Sequence, residues 1–141
     1  MDNLRRNILV VDDDPVARTL IGSLLGANGY DVHTAEDSYS AVVAARTAKP
    51  DAVVLDFRLP GGGALVVIDR LRRLPGLGLV PIVVVSAAER EMHGEVVVRA
   101  GASTFIQKPF EPGELLDALS KALSGGTASA VDGGSVLKLP S

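Results

Sequence analysis

Cysteine is absent from the 141-residue sequence, and aromatic residues make up only 4% of it. Without cysteine, the chain can form neither a disulfide framework nor a thiolate metal site. Because hydrophobic residues still account for 47% of the sequence, a core must be built mainly from valine, leucine, isoleucine and alanine. The absence of cysteine fits a reducing compartment, and we expect a cytoplasmic domain.

An excess of positive charge and long apolar segments are also absent. The formal net charge is −3, so we expect no direct binding to nucleic acid or to an acidic membrane surface. No apolar run approaches the roughly 20 residues that a membrane helix needs, and residues 1–6 lack the apolar region of a signal peptide. The chain is long enough for one soluble domain with its own core.

Short apolar runs alternate with segments of helical periodicity along most of the sequence. This pattern predicts an α/β fold in which five strands and five helices form a parallel sheet covered on both faces. The predicted strands span residues 7–11, 30–34, 52–55, 81–85 and 104–107. A helix is expected after each strand, the last two at about residues 90–99 and 111–123.

The first three helices are recognised by apolar residues at helical spacing. These residues are Val16, Leu20, Ile21, Leu24 and Leu25 in the first helix, Ala41, Val42 and Ala45 in the second, and Leu65, Ile68, Leu71 and Leu74 in the third. Beyond Ser124 the composition changes to glycine, serine and alanine, which is typical of a linker. We therefore expect a folded domain at residues 6–123 and a flexible tail or linker at 124–141, which leads to a further domain or carries a short docking segment.

Polar and charged residues stand where the predicted strands end. Asp12 and Asp13 follow the first strand, Asp56 the third, Ser86 the fourth and Lys108 the fifth. The carboxyl ends of parallel strands share one edge of a sheet, which is where ligands bind in open α/β folds. We therefore expect these five side chains to converge in one crevice.

The chemistry of this predicted cluster favours phosphoryl transfer. Clustered carboxylates repel one another unless a cation compensates, and an all-oxygen acidic pocket selects a hard cation such as Mg²⁺. Lys108 would add a positive charge and Ser86 a hydroxyl donor for a phosphoryl group that arrives on Asp56. A carboxylate is a competent nucleophile for this reaction and forms an acyl phosphate.

Other polar residues are explained by local structure. Asp14 before Pro15 suits a helix N-cap, and Asp37 or Ser38 is expected to cap the second helix. His33 and His93 have no evident partner in the sequence, so we expect them to be structural or surface residues.

Four short motifs, in this order and at this spacing, resemble the receiver domain of two-component response regulators. The resemblance covers roughly residues 6–123 and rests on Val-Val-Asp-Asp-Asp-Pro at 10–15, Leu-Asp-Phe-Arg-Leu-Pro at 55–60, Val-Ser-Ala at 85–87 and Gln-Lys-Pro-Phe at 107–110. It implies a flavodoxin-like fold with strand order 2-1-3-4-5. It also implies that Asp56 takes a phosphoryl group from a histidine kinase or a histidine phosphotransfer protein.

The same resemblance implies a magnesium site. Asp12, Asp13, Asp56 and the backbone carbonyl of Arg58 would hold Mg²⁺, Asp13 more directly than Asp12. One position near this site departs from the common family pattern, since Ala64 stands where glycine is frequent. Arg58 and Ala88 stand at positions where the family varies, and these positions are thought to tune dephosphorylation.

A switch is implied as well. Lys108 would pair with the phosphoryl group and precede a cis bond to Pro109, and the hydroxyl of Ser86 would bond a phosphoryl oxygen. Phe105, which replaces the commoner tyrosine, would turn inward. The face formed by the fourth helix, the fifth strand and the fifth helix would then change its partners. Such partners are a downstream protein, an output domain or a second copy in a homodimer.

Two other functions remain as alternatives. Residues 12–16 also resemble the nucleophile motif of haloacid-dehalogenase-like phosphatases, with Asp12 as the nucleophile. That family requires a further acidic pair after the lysine and leaves Asp56 without a role. A receiver-like interaction module that is never phosphorylated is the other alternative, against which the intact acidic site argues. A nucleotide-binding Rossmann domain is disfavoured because no glycine-rich turn follows the first strand.

Overall fold

Strands and helices alternate throughout the part of the chain that the computed structural model describes, which is residues 5–87 and 90–125, with backbone alone at 90–93. The strands are β1 (Asn7–Val11), β2 (Asp31–Ala35), β3 (Ala52–Asp56), β4 (Ile82–Ser86) and β5 (Thr104–Gln107). The helices are α1 (Pro15–Ala27), α2 (Ser38–Ala48), α3 (Gly63–Arg72), α4 (Arg90–Ala100) and α5 (Pro112–Leu123). Most of the predicted tail, at 126–141, lies outside the described residues.

The five strands form one parallel sheet in the order β2-β1-β3-β4-β5. This confirms the predicted doubly wound architecture and its strand order. The order changes direction between β1 and β3, which are direct neighbours although β2 separates them along the chain. In such sheets the crevice outside the carboxyl ends at this switch point is the usual ligand site.

Side chains of the sheet alternate between two buried layers. On β3, Val53 and Leu55 face one core cluster, together with buried residues of α2, α3 and α4. Val54 faces the opposite cluster, to which α1 and α5 contribute Leu25 and Leu119. Burial of each such side chain stabilises the fold by roughly 1.5–3 kcal/mol. The unbroken apolar run of β3 therefore follows from its position between two layers of helices.

The helix starts confirm the predicted caps and refine two of them. The Asp14 carboxylate accepts a hydrogen bond from the Val16 N–H at 3.0 Å. Asp37 rather than Ser38 caps α2, since its carboxylate accepts from the Ser40 N–H at 2.7 Å. The sequence predicted that the fifth helix begins at about Glu111. In the structure Glu111 is instead the N-cap residue, which precedes the first turn of α5.

The apolar residues that predicted α1 and α3 are not all buried in the structure. Val16 and Leu20 of α1 are 64% and 65% exposed, and only Ile21 and Leu25 of that helix are buried. In α3, Leu65 is 38% exposed and Leu74 lies beyond the end of the helix. A spacing of three falls short of the helical repeat of about 3.6 residues, so a row of leucines at that spacing rotates off the buried face.

The second strand begins one residue later than predicted. The Tyr30 N–H donates to the carbonyl oxygen of Leu25 at 3.1 Å, so Tyr30 belongs to the turn that closes α1. The strand extends instead to Ala35, whose carbonyl accepts from the Asp12 N–H at 3.1 Å.

Within residues 5–87 and 90–125, none of the helices combines the length and the apolar character that crossing a membrane requires.

Candidate functional site

Three carboxylates meet at the carboxyl edge of the sheet. Val11 pairs with Leu55 in the register of β1 and β3, so Asp12 and Asp56 leave neighbouring strands side by side. Asp12, Asp13 and Asp56 each offer a carboxylate oxygen within 4.8 Å of the others. Asp12 and Asp56 are buried, at 2% and 8% exposure, whereas Asp13 is exposed.

Lys108 brings a positive charge to this acidic cluster. Its Nζ lies 3.0 Å from Asp56 Oδ1 and 3.3 Å from Asp12 Oδ2. The Lys108 N–H donates to the Ser86 carbonyl at 2.7 Å, which carries the pairing of β4 and β5 one residue past the strand end. The following bond to Pro109 is cis, as expected from the sequence.

Burial and charge set the protonation of this ion pair. Burial raises the pKa of the Asp56 carboxyl above its ordinary value, and the Lys108 ammonium offsets only part of that effect. For Lys108, burial favours the neutral form, but Asp56 and Asp12 outweigh it and raise the pKa of the ammonium. One ammonium therefore faces three carboxylates, and the cluster retains excess negative charge.

The donor set suits a hard divalent cation. The groups of the cluster that can bind a cation are carboxylate oxygens, the ligands that Mg²⁺ prefers, and the ion normally uses one or two of them alongside water. The excess negative charge would be balanced by such an ion. Asp13 is the exposed member of the cluster, so an ion would reach it from solvent.

Of the remaining predicted site residues, Ser86 and Arg58 lie at or just beyond the carboxyl ends of strands, and Phe105 lies within β5. Ser86 ends β4 and is 1% exposed. Arg58 follows Asp56 in the loop before α3, with an exposed side chain. Phe105 is 3% exposed and packs in the core cluster that includes Val84 and Val97. The roles assigned to these residues stay predictions.

Arg18 is a neighbour of the site that the sequence argument missed. Its Nη1 donates to the backbone carbonyl of Asp12 at 2.7 Å, while the Asp14 N–H donates to Asp12 Oδ1 at 3.0 Å. Together these bonds hold the turn that presents Asp12. The position of Arg18 in the first turns of α1 was a usable signal, since α1 begins directly after the acidic turn.

Two other candidates lie apart from the cluster or beyond description. The sequence predicted that His33 is a structural or surface residue. In the structure it is exposed on β2 and is not among the residues that converge. The side chain of His93 and residue Ala88 lie outside the described part of the chain.

The fold and the acidic cluster define a receiver domain of the two-component type. Residues 8–120 match the profile of the family described as the response regulator receiver domain. The chain belongs to this family of signalling proteins. The match supports the receiver interpretation and not the phosphatase alternative.

Individual relatives agree with this assignment. The chain is 37% identical over 116 residues to the DNA-binding response regulator MtrA of Mycolicibacterium smegmatis, a match that covers 82% of this chain and 50% of that protein. It is 35% identical over 117 residues to the KDP operon transcriptional regulatory protein KdpE of Escherichia coli, covering 83% of this chain and 51% of the relative. The chain thus spans about half the length of these curated relatives.

Solved structures show the same fold. A putative response regulator from Chloroflexus aurantiacus superposes with a TM-score of 0.82 at 29% identity, covering 86% of this chain and 99% of that one. The chemotaxis response regulator CheY4 of Vibrio cholerae gives a TM-score of 0.79 at 26% identity, with coverage of 84% and 99%.

Proposed function

We propose that Asp56 is the phosphoacceptor of this receiver and takes its phosphoryl group from a histidine kinase or a histidine phosphotransfer protein. The observation that carries the proposal is the position of Asp56 in a cluster of three carboxylates, bonded to Lys108 at the carboxyl edge of the sheet. The donor and this acceptor must share a compartment, for which we propose the cytoplasm. Residues 6–123 form the receiver in this proposal, and 124–141 act as its tail or linker.

The proposed reaction is a direct displacement at phosphorus. An oxygen of the Asp56 carboxylate forms a bond to the phosphorus while the bond from phosphorus to the donor imidazole nitrogen breaks. The product is an acyl phosphate on Asp56, and the leaving imidazole nitrogen recovers a proton from solvent. Phosphoryl transfer of this kind needs positioning and charge neutralisation more than covalent chemistry from the protein.

Lys108 and the acidic residues divide the work of neutralisation. Lys108 already lies 3.0 Å from Asp56 Oδ1, so its ammonium is placed to pair with a phosphoryl oxygen. Asp12, Asp13, Asp56 and the backbone carbonyl of Arg58 would hold Mg²⁺. When bound, the ion would neutralise charge on the phosphoryl oxygens.

Ser86 and Phe105 form the proposed switch. Ser86 ends β4 at the site, and Phe105 lies opposite Val84 in the register of β4 and β5. In the proposal the Ser86 hydroxyl bonds the phosphoryl oxygen, and the face of α4, β5 and α5 changes partners. The sequence led us to expect that Phe105 turns inward on switching, but its side chain is already 3% exposed, so in the proposal it keeps that inward position. The occupants of that face are a downstream protein, an output domain or a second copy.

Intact-protein mass spectrometry after incubation with acetyl phosphate and Mg²⁺ tests this proposal. We expect wild type to gain one phosphoryl group that hydroxylamine removes, and Asp56→Asn to gain none. Asp69→Asn is the matched control, because Asp69 is an exposed carboxylate on α3 that pairs only with Arg73 in the described structure. An adduct retained in Asp56→Asn but lost in Asp12→Asn would overturn the proposal in favour of the phosphatase alternative.

A further inference from the structure

A half-buried arginine, Arg72, joins the segments that precede β4 and β5, at the amino ends of the strands and so opposite the acidic cluster. Arg72 is in the last turn of α3. Its Nη2 donates to the Gly101 carbonyl at 2.6 Å, and its Nη1 makes a longer bond of 3.4 Å to the Leu77 carbonyl. The guanidinium therefore ties α3 both to the loop before β4 and to the end of α4.

The backbone at Gly101 is shaped around this contact. Gly101 has φ +121°, a conformation that side chains disfavour, and a Cβ there would lie 3.0 Å from Arg72 Nε. The Gly101 N–H donates back to the Val98 carbonyl at 3.0 Å, which closes α4. The guanidinium thus lies at the carboxyl end of α4, where a positive charge interacts favourably with the helix dipole.

The other end of α3 is joined to the phosphoacceptor loop. The Ala64 N–H, in the first turn of α3, donates to the carbonyl of Phe57 at 2.9 Å, and Phe57 follows Asp56 directly. Between these ends, Ile68 and Leu71 are fully buried against the sheet. A packed helix of this kind transmits displacement from one end to the other and does not bend to absorb it.

We propose that Arg72 is a positioning residue that restrains the carboxyl end of α4 in the unphosphorylated receiver, so that α3 couples Asp56 to the α4 face independently of Ser86 and Phe105. The proposal rests on the proposed function of Asp56. A bond of 2.6 Å is directional and is lost when its partners separate by about 1 Å. Removing a bond that is made in only one of two states shifts the equilibrium toward the other state.

Binding of a phosphoryl analogue measures this coupling, because linkage between two sites is reciprocal. The experiment is a calorimetric titration with beryllium chloride at fixed excess fluoride and Mg²⁺, for wild type, Arg72→Met and Arg73→Met. Arg73 is the matched control, since it is the next residue, is exposed and pairs only with Asp69 in the described structure. We expect Arg72→Met to bind beryllofluoride about 3- to 10-fold more tightly than wild type, and Arg73→Met to match wild type.

Each other outcome is decisive. Unchanged or weaker binding by Arg72→Met, with wild type binding normally, would overturn the coupling role while leaving the proposed function intact. Such a result would assign Arg72 a purely structural role, because loss of the side chain would then destabilise both states equally. Arg72→Lys keeps the charge and the apolar stem but loses the planar guanidinium that donates to both the Gly101 and Leu77 carbonyls, and the two side chains are not interchangeable at such a site. If Arg72→Met does not fold, we therefore expect Arg72→Lys to bind beryllofluoride more tightly than wild type, and equal affinity would overturn the inference. Absence of beryllofluoride binding by wild type would overturn the inference and the proposed function together.

Discussion

The ammonium of Lys108 lies 3.0 Å from the carboxylate of Asp56 and also contacts Asp12 at 3.3 Å. Lys108 follows β5 at one edge of the sheet, while β1 and β3 are the central strands that present the carboxylates. The Lys108 side chain therefore reaches from the end of β5 past β4 to the ends of β3 and β1, where it contacts two buried carboxylates. The ammonium has three donors, so two contact the carboxylates and one is left for a further acceptor.

Removing Lys108 should destabilise the protein and disconnect the proposed switch. In Lys108→Ala, two buried carboxylates lose their compensating charge, and we expect the free energy of unfolding in chelator at neutral pH to fall by about 1–3 kcal/mol. We also expect acetyl phosphate still to modify Asp56, but without the change in hydrogen exchange at α5 that we expect on phosphorylation of wild type. Denaturant unfolding and exchange mass spectrometry measure the two effects.

Lys121→Ala is the control for the loss of a lysine, because Lys121 is exposed on α5. We expect it to change the free energy of unfolding by less than about 0.5 kcal/mol. If Lys108→Ala unfolds at the same denaturant concentration as this control, the ammonium does not stabilise the acidic cluster.

Magnesium should bind through Asp13 and not through the adjacent Asp14. Asp13 belongs to the three-carboxylate cluster, whereas Asp14 caps α1, a role that asparagine performs equally well. We expect Asp13→Asn to weaken Mg²⁺ binding at least about 10-fold, and Asp14→Asn to stay within about 3-fold of wild type. Titration calorimetry with MgCl₂ gives both constants, and equal losses in the two variants would contradict the assignment.

The metal-free protein should depend on pH through Asp56. Burial raises the pKa of this carboxyl in the folded state, so its favourable contribution is present below the ordinary carboxyl pKa and is lost as the pH rises through the folded value. Asp56→Asn stays neutral, and we expect it to gain stability over wild type, by up to about 2 kcal/mol, as the pH rises from 4 toward 7 in chelator.

Unfolding by denaturant at several pH values tests this sign. The gain should fall when Mg²⁺ is added, because the ion stabilises the wild-type site and leaves the variant less affected. A loss of stability in Asp56→Asn at neutral pH in chelator would show that the bond to Lys108 outweighs the cost of burying the carboxylate.

The glycine-rich loop before α3 should tolerate no side chain at Gly62. The residue has φ +120°, and an added Cβ would lie 2.5 Å from Val66 Cγ2. We expect Gly62→Ala to lower the free energy of unfolding by about 1–3 kcal/mol. Gly26→Ala is the matched control, since nothing lies within 4 Å of its added Cβ, and in a helix we expect it to raise stability by about 0.5–1 kcal/mol.

Much of the fold followed from local pattern, and the misses have a physical explanation. Strand β3 (Ala52–Asp56) is buried at every position, which is why the lack of alternation in its apolar residues 52–55 indicated a central strand. The spacing of Val16 and Leu20 predicted their helix but not their exposure, because a helix carries apolar residues on more than one face and only the neighbouring elements decide which face is covered. Tyr30 was misplaced because its backbone bond goes to the closing turn of α1, a choice that β-propensity does not reveal.

For the candidate site too, some features followed from the sequence and others only from the tertiary structure. The sequence by itself determined the order of strands and helices and the acidic and basic residues at the strand ends, because periodicity and the parallel sheet place those ends at one edge. Only the tertiary structure decided that Lys108 bonds two carboxylates at once, that Arg18 holds the turn of Asp12, and that Arg72 reaches Gly101. The contacts of Lys108 and Arg72 join residues far apart in the chain, whereas Arg18 is close to Asp12 in sequence. In all three cases the geometry depends on strand register and helix packing, which no local pattern contains.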